Sequence, residues 1–346
     1  MEALWYGVVA AMLAVYVALD GYDLGAGALH LLVARDDAER REVLGAIGPF
    51  WDGNEVWLVA AGGALVLAFP VAYAVGFSGF YLPLFLVLWL LLLRGLGIEF
   101  RGHVENPLWA AFWDVVFAVG SSLLAVVLGV ALGNVIRGVP IDATGTFYLT
   151  FFDGFLPGPR SGVLDAYTVL VGLFTLVALA AHGGNFLAWR ARGEVRERSR
   201  RSARRLWVVA GALFPVVTWA TLTVQPRLLG AAGGRPLVWL GVAVAASAAA
   251  LLAWALARSR PALAFGASGA LLLGLLATAA AASWPLLLRS TLDPRYDVTA
   301  WNAAAQGKAL RAAVVWASIG LPLACAYFVH VARTFAAPPG DDRHAP

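Results

Sequence analysis

Residues 236–257 read PLVWLGVAVAASAAALLAWALA and contain no charged side chain. A helix needs about 20 consecutive apolar residues to cross the roughly 30 Å hydrocarbon core of a bilayer. This stretch has the required length and composition, so it predicts a transmembrane helix. The same signature recurs along the chain, and its repetition decides the fold class.

The composition of the whole chain is typical of a membrane protein. Hydrophobic residues make up 61% of the sequence and charged residues only 13%, whereas about a quarter of the residues in a soluble domain are charged. The mean hydropathy is +0.76. We therefore predict an all-α, polytopic integral membrane protein with about nine transmembrane helices, at roughly 5–33, 46–70, 78–100, 110–133, 163–190, 205–225, 236–257, 262–288 and 309–333.

The domain organisation is simple. Residues 1–335 are predicted to form a single transmembrane helical domain, and the polar stretch 336–346 a disordered cytoplasmic tail. The first apolar run is not expected to be a cleaved signal peptide, because it lacks a basic leader and carries Asp20 and Asp23.

The orientation follows from the basic residues, which stay on the cytoplasmic side. With the N-terminus outside, the inner segments hold 17 Lys and Arg residues and the outer segments hold 8. Nine spans then place the C-terminus in the cytoplasm. The pI of about 9.5 reflects this topology, so we expect no nucleic-acid partner.

Carboxylates cluster in the first four apolar runs, where an ionisable side chain costs about 2.5–3.5 kcal/mol on insertion scales. Asp20 and Asp23 are three residues apart, as are Asp52 and Glu55, so each pair shares a helix face. Glu99 ends the third run at the inner side. Together they predict a proton or cation entry route from the cytoplasm.

The alternative interpretation is that these acids cap helices or form salt bridges. We favour that interpretation for Asp114 and Glu105, and the functional one for Asp23 and Asp52, which are predicted to lie deeper. Small-residue patches at 25–28 and 62–64 are predicted to let helices approach closely.

The ligand set for a metal or haem is sparse. Methionine occurs only at Met1 and Met12, and His30, His182 and His330 are all predicted near inner helix ends, at the interface. Axial haem ligands are usually His or Met, so we expect no haem ligated by this chain alone. No spacing of His, Cys or carboxylate predicts a metal site.

Tryptophan is abundant, and several indoles near helix ends fit the aromatic belt of a membrane protein. Trp51 and Trp57 flank the Asp52 segment. They are also candidates for the wall of a quinone or gas path, although packing is the preferred interpretation for Trp57 alone.

Taken together, these segments resemble subunit II of the cytochrome bd-type quinol oxidases. The similarity is dense in the first 140 residues and thin from about 205 to 290. Phe50 stands where the family often has His, and Glu55 where some members have Gln. The stretches that carry the resemblance are GYDLG at 21–25, GPFWDGNEVWL at 48–58, AGGA at 61–64, RGLGIEFR at 94–101, WDVVFAVGS at 113–121 and TAWNAA at 299–304.

The resemblance implies a bacterial cytoplasmic-membrane complex that oxidises quinol and reduces oxygen to water with cytoplasmic protons. A partner, subunit I, would ligate haem b and haem d. Asp52 would be the inter-subunit proton-path carboxylate, with Asp23 a nearby buried acid. Trp57 would lie near the oxygen entry and Trp51 near a quinone or haem edge. A small accessory subunit, a structural quinone and lipid are further expected partners.

Two rivals remain at this stage. A secondary transporter or cation carrier would show two similar halves with matching broken helices, whereas the polar motifs here concentrate in the first four runs. A purely structural membrane subunit would use its acids only to hold helices together.

Overall fold

The computed structural model of the chain describes residues 1–335. The predicted tail, 336–346, lies outside the described residues. The helices are α1 (Glu2–Val33), α2 (Asp37–Ile47), α3 (Trp51–Ala68), α4 (Pro70–Gly79), α5 (Tyr81–Phe100), α6 (Pro107–Arg137), α7 (Ala166–Arg190), α8 (Gly193–Val224), α9 (Arg227–Gly233), α10 (Pro236–Ala257), α11 (Pro261–Ser283) and α12 (Gly307–Thr334).

Every predicted apolar run coincides with a helix. Eight helices of the described chain are long and apolar enough to cross a membrane, namely α1, α5, α6, α7, α8, α10, α11 and α12. The run predicted at 46–70 becomes α3, which has 18 residues and a length of about 27 Å. Pro70 opens the short helix α4 directly after it, because proline suits the first helical position. The architecture is that of a polytopic helical membrane protein.

Helix α1 lies at the centre of the bundle and packs against α3, α6, α7 and α11. Its approach to α7 needs glycine. A Cβ on Gly25 would lie 1.9 Å from the Leu179 carbonyl oxygen, and one on Gly183 would lie 2.3 Å from the Ala26 nitrogen. Small residues allow such backbone contact between membrane helices. The predicted close approach is therefore confirmed at Gly25.

The second predicted small-residue patch behaves differently. A Cβ on Gly62 or Gly63 would meet nothing within 4 Å among residues 1–335. Within the described chain these two glycines therefore make no close helix contact, whereas Ala64 of the same patch packs in the cluster with Trp57.

The two ends of the bundle gather different segments. At one end, the Trp5 indole donates to the Leu310 carbonyl at 3.2 Å and the Tyr6 hydroxyl to the Ala280 carbonyl at 2.8 Å. The same end carries an antiparallel pair of short strands, β1 (Leu286–Leu288) and β2 (Val298–Thr299). The other end carries α2. The starts of α1 and α12 thus lie together with the end of α11, as expected when α11 runs in the opposite direction to α1 and α12.

Candidate functional site

A buried ion pair joins α1 and α5. Arg94 and Asp20 are both fully buried, and Arg94 Nη1 donates to Asp20 Oδ1 at 2.5 Å. The other terminal nitrogen of Arg94 donates to Glu55 Oε2 at 2.7 Å. The Glu55 side chain is 24% exposed. One guanidinium therefore connects three helices, α1, α3 and α5.

The second acid of α1 has a neutral partner. Asp23 is 1% exposed, and Asn54 Nδ2 donates to Asp23 Oδ2 at 2.7 Å. The same amide nitrogen lies 2.6 Å from the Tyr22 hydroxyl. Asn54 lies in the first turn of α3, on the face that packs against α1.

The charges in this cluster do not balance. Asp20, Asp23 and Glu55 supply three carboxyl groups, of which Asp20 and Glu55 pair directly with Arg94 and Asp23 accepts from Asn54. Asp20 Oδ2 and Asp23 Oδ1 are buried without a hydrogen-bond partner among residues 1–335. A buried, unpaired carboxylate is costly, so the arrangement is suited to hold a proton. We call these four residues, with Asn54, the acid–arginine cluster.

Two predicted site residues lie outside this cluster. Asp52 is exposed in the first turn of α3. It lies nearer the end of its helix than predicted, because α3 begins at Trp51 and not at residue 46. Glu99 is also exposed, on the last turn of α5. Neither side chain is hydrogen-bonded to the acid–arginine cluster within the described residues.

Arg94 and Asn54 are functional candidates that the sequence analysis did not single out. Arg94 is a lone cation near the end of the apolar run 78–100. An isolated charge within such a run is the signal that would have found it. Asn54 is uncharged and carries no comparable signal.

The tryptophans occupy two environments. Trp57 is 8% exposed and packs in a cluster with Met12 and Tyr16 of α1, at 5.6 Å from the Phe328 ring of α12. Next to it lies an apolar cavity of about 290 Å³ between α1, α3 and α12. Trp51 is half-buried, and its ring lies 3.5 Å from where a Cβ of Gly95 would stand.

A second ionic cluster stands at the α2 end of the bundle. Asp114 is buried and accepts from Arg101 Nε at 2.6 Å and Arg40 Nη1 at 3.0 Å, and its Oδ1 lies 2.7 Å from His30 Nε2. Arg101 also binds Asp37 on α2 at 2.7 Å, and this hydrogen bond holds the pKa of Asp37 below its ordinary value. The salt-bridge interpretation of Asp114 is confirmed, since cations surround it.

His30 and His182 are buried inside the bundle, so the prediction that they lie at the membrane interface was wrong. His30 is fully buried beside Asp114. His182 is 1% exposed, with Nδ1 at 2.6 Å from Ser268 Oγ and Nε2 at 3.0 Å from the Ala18 carbonyl. Its placement between α1, α7 and α11 shows a packing role, which the helix-end position did not reveal.

The fold and the buried ionisable cluster define a class: a polytopic helical membrane subunit whose polar centre lies among its first helices. A family profile described as cytochrome bd terminal oxidase subunit II matches residues 1–335. The chain belongs to this family, and it is a subunit of a quinol oxidase complex. Family membership excludes the transporter alternative.

Individual relatives agree with this placement. The chain is 30% identical to the probable cytochrome oxidase subunit 2 of Haemophilus influenzae, over 95% of this chain and 92% of that protein. It is 31% identical to the cytochrome bd ubiquinol oxidase subunit 2 of Bacillus subtilis, over 93% and 92%. A chain of the bd oxidase structure from Geobacillus thermodenitrificans superposes with a TM-score of 0.70, covering 96% and 98% at 20% identity, which shows the same fold.

The family implies haem in the complex, and the two buried histidines of this chain do not fit a haem axial site. Both ring nitrogens of His182 are within hydrogen-bond distance of Ser268 or Ala18. His30 presents Nε2 to Asp114, and its Nδ1 is buried in the bundle without a hydrogen-bond partner among residues 1–335. Within residues 1–335, no group of three or more His, Cys, Asp or Glu side chains is arranged to hold a metal ion.

Proposed function

We propose that this chain is the haem-free subunit of a bd-type oxidase and that it supports assembly of the haem subunit while giving protons access from the cytoplasm. The observation that carries the proposal is the acid–arginine cluster, in which Asp20 and Glu55 share one buried guanidinium and Asp23 is buried against a neutral amide. The complex would oxidise quinol and reduce oxygen to water in a bacterial cytoplasmic membrane.

Asp23 is the proton-holding member of the cluster. Arg94 neutralises Asp20 directly at 2.5 Å, and it also pairs with the partly exposed Glu55. Asp23 instead accepts from the neutral Asn54 amide, which also lies within hydrogen-bond distance of the Tyr22 hydroxyl. A carboxyl group buried without a cation is more stable when protonated. A bound proton also gives Asp23 a donor that an ionised carboxylate lacks.

The proposed path enters along α3. Asp52 is exposed at its first turn, and Glu55 lies one turn further on and half-buried. Arg94 holds Glu55 and Asp20 near each other by donating to both, and its guanidinium stays protonated throughout. The proton passes between the carboxyl groups themselves, with Asp23 one helical turn from Asp20 on α1. Exposed Glu99 on α5 is a surface carboxylate that attracts cations toward this entrance. Its place in the path is the least direct of the five acids.

The neighbourhood of Trp57 is the proposed oxygen or quinone region. Its cavity of about 290 Å³ is lined by apolar side chains that include Trp5, Met12 and Trp316. Oxygen and an isoprenoid tail are both apolar and favour such a space over water. Trp51 lies beside Gly95 of α5, apart from this cavity, and there it would contact a quinone or haem edge.

Haem b and haem d are assigned to the partner subunit. When bound there they supply the redox chemistry, and the residues of this chain position protons near the shared interface. The engaged nitrogens of His182 and the Asp114 contact of His30 support this division of labour. A small accessory subunit, a structural quinone and lipid complete the proposed partners.

The test uses the complex copurified through a tag on this chain. An optical redox difference spectrum reports haem content, and oxygen uptake with quinol reports turnover. Asp23→Asn keeps the size and removes the proton-binding carboxyl group. We expect full haem bands and turnover lowered about tenfold or more, since proton-transfer groups contribute at least this much.

The matched control is Asp142→Asn, which removes a carboxylate from an exposed turn and should leave both readouts unchanged. If Asp23→Asn lowers haem content and turnover in the same proportion, the carboxyl group is structural and the proton role is wrong. A stable, colourless single polypeptide from the wild-type preparation would overturn the oxidase function itself.

A further inference from the structure

Hydrogen-bond donors form a stripe on the first turns of α8, at the α2 end of the bundle. Arg200, Arg204 and Trp207 stand at positions i, i+4 and i+7, so they share one helix face. Arg200 donates to Ser259 Oγ at 2.8 Å, and Arg204 to the same oxygen at 3.0 Å. The stripe therefore faces the turn between α10 and α11.

Further guanidinium groups stand on that turn. Arg258 and Arg260 lie over the Trp254 ring, at 5.9 and 5.1 Å from its centroid. The Trp254 side chain is 43% exposed. An exposed indole at a helix end is typical of the headgroup level of a bilayer, so these arginines are placed at the depth of lipid phosphates.

Positive charge is in large excess here. Segments 190–205 and 258–260 contain ten arginines and two glutamates. Glu197 pairs with Arg200 and Arg201, and Glu39 of α2 pairs with Arg198. The positive-inside rule accounts for the number of arginines. It does not account for their convergence from α8 and from the α10–α11 turn on one small surface.

The deepest donor of the stripe has no acceptor. Trp207 Nε1 is buried without a hydrogen-bond partner among residues 1–335. It lies three residues beyond Arg204, which is about 4.5 Å further along the helix axis. The ring packs with Leu252 and Ala255 of α10. An unsatisfied buried N–H costs about 1–3 kcal/mol, and a ligand that supplies an acceptor at this depth removes the cost.

The helices beyond this point carry exposed apolar side chains. α8 packs on α7 and α10 packs on α11, whereas the described contacts between α8 and α10 are sparse and lie at this end. Val208 on α8 and Leu251 on α10 are 73% and 41% exposed. Guanidinium groups at the surface with apolar side chains beneath them match a phosphate headgroup followed by acyl chains.

We infer that this surface, made by Arg200, Arg204, Trp207 and Arg260, binds the phosphodiester headgroup of an anionic phospholipid. The guanidinium groups of Arg204 and Arg260 contact the phosphate, which they match in charge and geometry. The indole N–H of Trp207 donates to an ester carbonyl one turn deeper. Basic pockets between membrane helices bind anionic headgroups in this way.

The experiment is native mass spectrometry of the whole oxidase complex, delipidated and then titrated with phosphatidylglycerol or with phosphatidylcholine. We expect retained phosphatidylglycerol adducts on the wild type and about tenfold weaker retention in Arg204→Gln/Arg260→Gln. The matched control is Arg201→Gln/Arg205→Gln, which removes the same charge from exposed positions of α8. This control should retain the lipid as the wild type does.

Trp207→Phe provides an independent readout, because it removes the N–H and the five-membered ring that carries it while keeping an apolar aromatic ring. It should weaken phosphatidylglycerol retention even if the double arginine variant fails to assemble. Equal retention in Trp207→Phe and wild type, or equal loss in the two double arginine variants, would overturn the assignment. Competition by millimolar inorganic phosphate that fully displaces the lipid would assign the site to a free anion instead.

Discussion

Replacing Arg94 by glutamine tests whether the acid–arginine cluster depends on its one cation. Arg94 and Asp20 are both 0% exposed, so water cannot replace the guanidinium when it is removed. Glu55 is 24% exposed and can turn toward solvent. The cost of the substitution therefore comes mainly from Asp20.

The magnitude follows from that burial. Breaking a buried ion pair by removing one partner costs about 3–5 kcal/mol, because the remaining charge is uncompensated. At about 2 °C per kcal/mol, the value for larger chains, this corresponds to a loss of about 6–10 °C in Tm. Asp20→Asn together with Arg94→Gln leaves two neutral amides, so the double variant should recover about half of the loss.

The assay is thermal unfolding of the detergent-solubilised complex, followed by loss of its haem absorbance. Arg205→Gln serves as the control, because it removes an arginine from an exposed position and should change Tm by less than about 2 °C. The reasoning is refuted if Arg94→Gln behaves like this control. It is also refuted if the losses from Asp20→Asn and Arg94→Gln simply add, because additive losses mean that the two side chains are not coupled.

Two further predictions concern packing and pH. Gly25→Leu should abolish most of the assembled complex, because the Cβ of the new leucine would clash with the Leu179 carbonyl. Gly62→Leu is the control. Equal yields of complex from the two variants would contradict the close-packing argument. Hydrogen bonds from the Arg35 backbone N–H and the Arg198 guanidinium lower the pKa of Glu39 from its ordinary 4.5. The stabilisation that ionised Glu39 gives to the folded chain is fully present above pH 4.5 and is lost as the pH falls through the lowered pKa. Glu39→Gln should therefore flatten the dependence of Tm on pH in the acid range.

Several features were predictable from local sequence. Apolar runs of transmembrane length predict helices whatever their partners, because a bilayer requires every backbone group to be bonded within the segment. The runs at 110–133 and 236–257 accordingly became α6 and α10. The spacing of Asp20 and Asp23 placed both on one face of α1, and the buried acids were found there.

The partners of those acids were not predictable in the same way. Membrane helices are apolar all round, so hydrophobic periodicity does not report which face of α3 or α5 turns inward. A helix rotates by 100° per residue, and this rotation decided that Asn54 contacts Asp23 while Asp52 is exposed. The same applies to His182, whose buried contacts with α1 and α11 come from segments more than 80 residues away.

The sequence by itself therefore determined that the chain is a membrane-embedded helical bundle with acids concentrated in its first helices. Its motifs also indicated the oxidase family. Only the tertiary structure decided that Asp20 and Glu55 meet Arg94 and that Asp23 meets a neutral amide. It also decided where arginines from α8 and from the α10–α11 turn converge. The physical reason is that helix formation is local, whereas charge pairing depends on how separate helices rotate and pack against one another.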